Sequence, residues 1–173
     1  MTKIFAAICV LALMIGGGLY DDRGEEVMHF EAFYYRADSS SYSAAPLPVV
    51  VKLSSVAELN DYFERNKDFF QFERGYFSET SMLVDVFDGN KRFDEVFFEE
   101  KFLLFVLLQE GSGSIRHRVD SVLPENGSLV VNIARFVPEI GTADMAHWHL
   151  VLVLDRSLVD MDVAVELIQV NIS

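Results

Sequence analysis

The 173-residue chain has one cysteine, Cys9, four prolines and one tryptophan, and only 14 lysines and arginines against 27 aspartates and glutamates. Each shortage closes a class of explanation. A lone cysteine forms no internal disulfide, and beyond residue 9 no thiol is left for catalysis. A formal net charge of −13 repels phosphate backbones, so neither nucleic acid nor an anionic lipid surface is an expected partner. The patterns His-Glu-x-x-His and Gly-x-Ser-x-Gly are both absent. Internal repeats and low-complexity tracts are absent too.

Apolar side chains are plentiful: hydrophobic residues make up 51% and phenylalanine alone supplies 15. That content packs a core, and the length suits one domain. Lys3, the apolar run Ile4 to Ile15 and Gly16-Gly-Gly18 have the order of a secretory signal peptide, with cleavage expected after Gly18. Retention as an N-terminal anchor is the alternative, although the run is short for a bilayer core of roughly 30 Å. Either way residues 1–18 form a leader and 19–173 a single domain outside the cytoplasm. Membrane contact is expected only through that anchor.

The segment Val27 to Tyr35 has strand character, although its apolar positions do not alternate cleanly. Arg36 to Pro46 has loop composition, and Val49 to Leu53 follows as a short strand. Ser55-Val-Ala-Glu58 is a capping box, with Val56, Leu59, Tyr62 and Phe63 at helical spacing behind it, which predicts a helix over 55–65. Phenylalanines are dense from Phe69 to Phe105, and short helices are expected over 81–87 and 93–99. These rings are expected to roof a sheet, the alternative being an exposed patch that grips a partner.

The region from Lys101 to Leu154 organises the rest. Phe102 to Leu108 is apolar on both faces and predicts a central strand covered on both sides. Gly111-Ser-Gly-Ser114 reads as a tight turn, because a strand and not a helix follows it. Ile115 to Val119 alternates, Pro124-Glu-Asn-Gly127 turns, and Ser128 to Val137 alternates again, with Asn-Gly marking the hairpin. After a loop over Pro138 to Ala146, Trp148, Leu150, Leu152 and Leu154 share one strand face, and His147, His149, Val151 and Val153 the other. A turn or short helix over 155–162 leads to a last strand over 162–170. The expected class is α+β: a mainly antiparallel sheet or sandwich, with short helices inserted before the C-terminal strands.

Candidate chemistry is sparse. His147 and His149 point the same way on a strand, and Asp144 or His117 offers a third zinc ligand, the basis of a metal-dependent hydrolase reading. Ordinary, partly exposed strand histidines are the plainer expectation, with no metal, cofactor or catalytic residue. Arg116 and Arg118 share a face and suit either local ion pairing or a carboxylate on a partner. A small ligand held in an apolar pocket beneath the phenylalanine-rich segment is a further alternative.

Phe97-Phe98, Gly111-Ser-Gly-Ser-Ile115, Gly127, Pro138 and Asp144-Met-Ala-His-Trp148 carry a resemblance over roughly residues 93–170. The region resembles uncharacterised small exported bacterial proteins and lipoproteins, and distantly the C-terminal domain of the protease-complex subunit family of the PrcB type. That resemblance implies a non-enzymatic accessory domain that binds another extracytoplasmic protein and assists a secreted protease complex. The residues expected to meet the partner are Gly111, Ser112, Gly113, Ser114, Arg116, Arg118 and Trp148, together with the loop Pro138 to Ala146.

Overall fold

The structure is a computed structural model that describes residues 28–37, 47–70 and 92–172. The leader with Cys9, most of the loop at 36–46 and the helix expected over 81–87 lie outside the described residues. Among the described residues seven strands and two helices follow in chain order. They are β1 (Glu31–Ala37), β2 (Val49–Leu53), α1 (Val56–Phe70), α2 (Glu95–Glu100), β3 (Lys101–Glu110), β4 (Arg116–Glu125), β5 (Ser128–Phe136), β6 (Ala146–Asp155) and β7 (Ala164–Ile172). The α+β class holds, with the helices inserted ahead of the C-terminal strands as expected.

The strands form two sheets. One is ordered β1-β6-β3-β2 with every pair antiparallel; the other is ordered β4-β5-β7, and β7 runs parallel to β5. β3 and β6 sit in the middle of the larger sheet and are buried along nearly their whole length. Phe102, Leu104, Val106, Trp148, Leu150, Leu152 and Leu154 face the smaller sheet and pack on Val119, Val122, Leu129, Val131 and Ile133. From the opposite face Leu103, Phe105, Leu107, Val151 and Val153 pack under Leu59, Tyr62 and Phe70 of α1 and Phe98 of α2. The result is a helical layer, a four-stranded sheet and a three-stranded sheet, with apolar contact on both sides of the middle layer.

That layering explains β1. Ala32 and Tyr34 pack toward one core and Phe33 and Tyr35 toward the other, so four successive apolar or aromatic residues are what the doubly covered part of the strand requires. Of the described phenylalanines of the 69–105 region, Phe70 and Phe98 are buried and roof the sheet with Phe69, Phe93 and Phe97 packed beside them, whereas Phe102 and Phe105 belong to β3 itself and are buried on its two opposite faces. Each fully buried ring contributes about 1.5–3 kcal/mol, whereas an exposed pair such as Arg118–Asp120 is screened by solvent and contributes little. The core sets the stability.

Helix starts follow the sequence chemistry with one change. Glu58 donates its backbone N–H to Ser55 Oγ at 3.1 Å, as a capping box demands, but the Glu58 carboxylate accepts from the N–H and hydroxyl of Ser54. α1 then runs five residues past the expected end to reach Phe69, half-buried, and Phe70, buried, whose packing on the sheet extends it. α2 is capped by Asp94, which accepts from Phe97 N at 2.9 Å. Asn126 and Gly127 both take positive φ, 49° and 79°, the two-residue turn whose twist matches the strands it joins. Pro124 lies within β4, an edge strand, where its missing N–H is tolerated.

Candidate functional site

At one end of the sandwich the strand termini bring together two loops, 111–114 after β3 and 137–145 before β6. A lattice of short bonds joins them. Ser112 Oγ lies 2.8 Å from Ser114 Oγ and 3.2 Å from Thr142 Oγ1, and Ser114 Oγ accepts from Thr142 N at 3.2 Å. Asp144 accepts from Gly113 N at 3.1 Å and pairs with Arg36 at 2.5 Å. Arg36 and Arg116 both donate to the Gly113 carbonyl, at 3.3 and 2.5 Å. The bonds from Thr142 and Arg36, with the Gly113 N–H, hold the Asp144 carboxyl well below the usual carboxylate range, at about 2. The small residues are there for closeness: a Cβ on Gly113 would fall 2.3 Å from the Asp144 carboxylate, and one on Gly141 2.9 Å from Ser112 Oγ.

A prediction follows for this lock. Gly113→Ala pushes aside the ends of the Asp144 and Arg36 side chains and is expected to destabilise the protein by about 1 kcal/mol, the low end of overpacking, because both side chains are flexible. A chemical denaturation curve checks it. An unchanged midpoint would show that the two loops do not depend on each other.

Behind the lock lies a buried charged cluster. Glu110, the last residue of β3, accepts two bonds from Arg135 of β5, at 2.8 and 2.6 Å, and a third from His117 Nε2 of β4 at 2.8 Å. The Glu110 and His117 side chains are 6% and 0% exposed, so this clamp ties one sheet to the other under the loops. Burial pushes the Glu110 carboxyl up, but the bonds from Arg135 and His117 outweigh it and hold it below the ordinary value. Burial lowers His117, which stays neutral at pH 7 and donates from Nε2; its buried Nδ1 has no partner among the described residues.

The residues singled out from the sequence divide. Gly111 to Ser114 do meet the Pro138 to Ala146 loop; Gly111 is exposed, Ser112 and Ser114 are half-buried and Gly113 is buried. Arg116 is exposed but bends to the Gly113 carbonyl and over the Trp148 ring, 5.3 Å from its centroid. Arg118 pairs with Asp120 at 2.6 Å, the local ion pairing expected of it, and lies over Phe136. Trp148 is only 5% exposed and packs on His117 in the core between the sheets, so its ring is largely withdrawn from any surface contact.

The two strand histidines need correction. His147 and His149 share a face, but they are 1% and 0% exposed and not partly exposed, because α1 extends far enough to cover them. Phe69 and Phe70 surround His147, and His149 shares a 2.9 Å hydrogen bond with the Tyr62 hydroxyl. Asp144 is engaged with Arg36 and Gly113, and His117 sits on the other face of the larger sheet, bonded to Glu110. Among the described residues no group of three or more His, Cys, Asp or Glu side chains converges to hold a metal ion.

Two features escaped the sequence reading. Ile140 is 88% exposed at the tip of the second loop, flanked by the exposed Val137 and Met145. A lone isoleucine between Pro138 and Gly141 was a legible signal. The Glu110–His117–Arg135 cluster left none, since single residues on three consecutive strands form no spacing motif and only the passage from one sheet to the other brings them together. No family model, no curated protein and no solved structure matches the chain.

Proposed function

We propose that this is a non-enzymatic extracytoplasmic domain that binds another protein through the locked loop pair, as an accessory subunit. The exposure of Ile140 on a loop held by Ser112, Ser114, Arg36 and Asp144 carries the reading. An exposed apolar side chain on a mobile loop would cost binding energy to order. Here the loop bonds have already fixed it, so burial of Ile140 in a partner's apolar socket goes into affinity. The resemblance of residues 93–170 to the PrcB-type family suggests a secreted protease complex as the setting, and the leader suggests export.

The test is capture of partners by the tagged protein, residues 19–173, from the envelope of its source cells. Ile140→Asp is expected to remove a stoichiometric partner while shifting stability by no more than about 0.5 kcal/mol, as an exposed substitution should. Retention of that partner by the folded variant would remove the loop tip from the interface. Recovery of the protein alone, with Ile140 intact, would sink the accessory reading.

A further inference from the structure

β2 is the last strand of its sheet. It pairs with β3 from Val49↔Leu107 to Leu53↔Leu103, and no described strand lies on its far side. In such a strand alternate residues turn their N–H and C=O groups outward. Among the described residues no turn, loop or cap bond takes up those groups. Proteins blunt an edge of this kind with proline, bulges or projecting charge. β2 has no proline and no bulge, and its one charge, Lys52, donates to the Met161 and Val163 carbonyls and so is drawn to the three-stranded side.

Beside this edge, between β2 and α1, runs an open groove of about 680 Å³. Its floor is Val49, Val51, Leu107, Tyr62, Phe69 and Phe70. Val49 and Val51 are every second residue of the edge, the period at which an added strand projects its own side chains. A backbone ladder next to an apolar trough of that period is the chemistry of strand addition. Charge then selects the occupant. A second copy brings another formal −13 and is repelled, while a segment with basic flanks is attracted. Of the two cations among the described residues that line the groove, Arg65 is paired with Asp61 and Lys52 is drawn to the Met161 and Val163 carbonyls, so neither is turned toward a basic flank.

We infer that an extended segment of a partner protein, apolar at alternate positions and basic at its flanks, docks on β2 as a fifth strand of the larger sheet and lays its apolar side chains in the groove. This contact uses none of the residues of the loop pair and stands or falls without it.

The probe is a fluorescent peptide, Lys-Val-Thr-Val-Thr-Val-Lys, titrated against the protein, beside a version with proline at the central valine and one with glutamate in place of both lysines. The first is expected to bind saturably and to slow hydrogen exchange of amides in 49–53. The proline version is expected to bind about tenfold more weakly or worse, since it lacks the central ladder donor. The glutamate version is expected to be weaker at low salt and to approach the first as salt rises. Val49→Glu, which puts a carboxylate in the trough, is expected to abolish binding; if it fails to fold, the peptide comparison still decides. Absence of binding by the first peptide, or equal binding of the proline version, overturns the inference. Concentration-dependent protection of 49–53 without peptide would assign the edge to a second copy and overturn it equally.

Discussion

Glu110→Ala is expected to remove about 3 kcal/mol of stability, the largest loss from any single polar substitution among the described residues. The substitution strands two partners at once. Arg135 loses both of its bonds to the carboxylate and His117 loses the acceptor of its Nε2 proton, in a place where neither recovers full hydration. Breaking a buried ion pair by deleting one member costs about 3–5 kcal/mol, and the 24% exposure of the Arg135 side chain puts this case at the low end. The same argument predicts that replacing the whole cluster is milder. Glu110→Leu with Arg135→Met and His117→Leu leaves no orphaned charge, and should recover most of the loss. Urea denaturation of the two proteins tests this through their midpoints at equal slope. A loss below about 1 kcal/mol in Glu110→Ala would mean that water already satisfies Arg135, and the clamp would lose its role.

The loss should also be felt at the loops. Glu110 is followed directly by Gly111, so the clamp fixes where the first loop leaves the sheet. Without it the bonds among Ser112, Ser114 and Thr142 must hold both loops, and partner binding should weaken even though no contact residue has changed. Ile140→Asp, by contrast, should remove binding and leave stability alone. The pair of variants separates the scaffold from the contact.

Periodicity made the sheet legible where one rule held along a whole strand. Phe102 to Leu108 reads as doubly buried because every position is apolar, and β3 and β6 are the two central strands. β4 was legible only in part. Val119 and Ser121 flank a register shift at Asp120, which returns Val122 to the core and breaks the alternation, so the strand reads as ending six residues early. The parallel pairing of β7 with β5 is a long-range choice that no local pattern encodes. The candidate site was legible in its two loops, through glycine, serine and proline. It was not legible in Arg36, which sits 108 residues from the Asp144 it binds, nor in the burial of His147 and His149. Covering those histidines depends on how far α1 runs, and Phe69 and Phe70 decide that through tertiary contact and not through helical propensity.

That burial yields the second large effect: stability should begin to fall as pH drops below about 6.5, well before the carboxylates titrate. His149 is fully enclosed, and loss of hydration, with the nearby His147, pulls its pKa down to about 3. Burial lowers His147 and His117 as well. For each ring the folded state refuses a proton that the unfolded chain accepts near pH 6.5. The stabilisation is therefore complete above that pH and is lost as pH falls toward the folded value. His149 alone gives a slope approaching about 1.4 kcal/mol per pH unit in that window, and the other two rings add to it. Glu110 and Asp144, whose pKa values are depressed, contribute losses of the same sign, but only in more acid solution. Urea midpoints measured from about pH 7.5 to about pH 5 isolate the histidines from those carboxylates. His149→Phe with Tyr62→Phe removes the shared hydrogen bond from both sides and should flatten the curve by close to one proton, whatever it does to stability at pH 7. An unchanged slope would mean that His149 gains a proton without unfolding the domain, and the ring would then be open to solvent in a way that its place beneath Phe70 and Tyr62 does not allow.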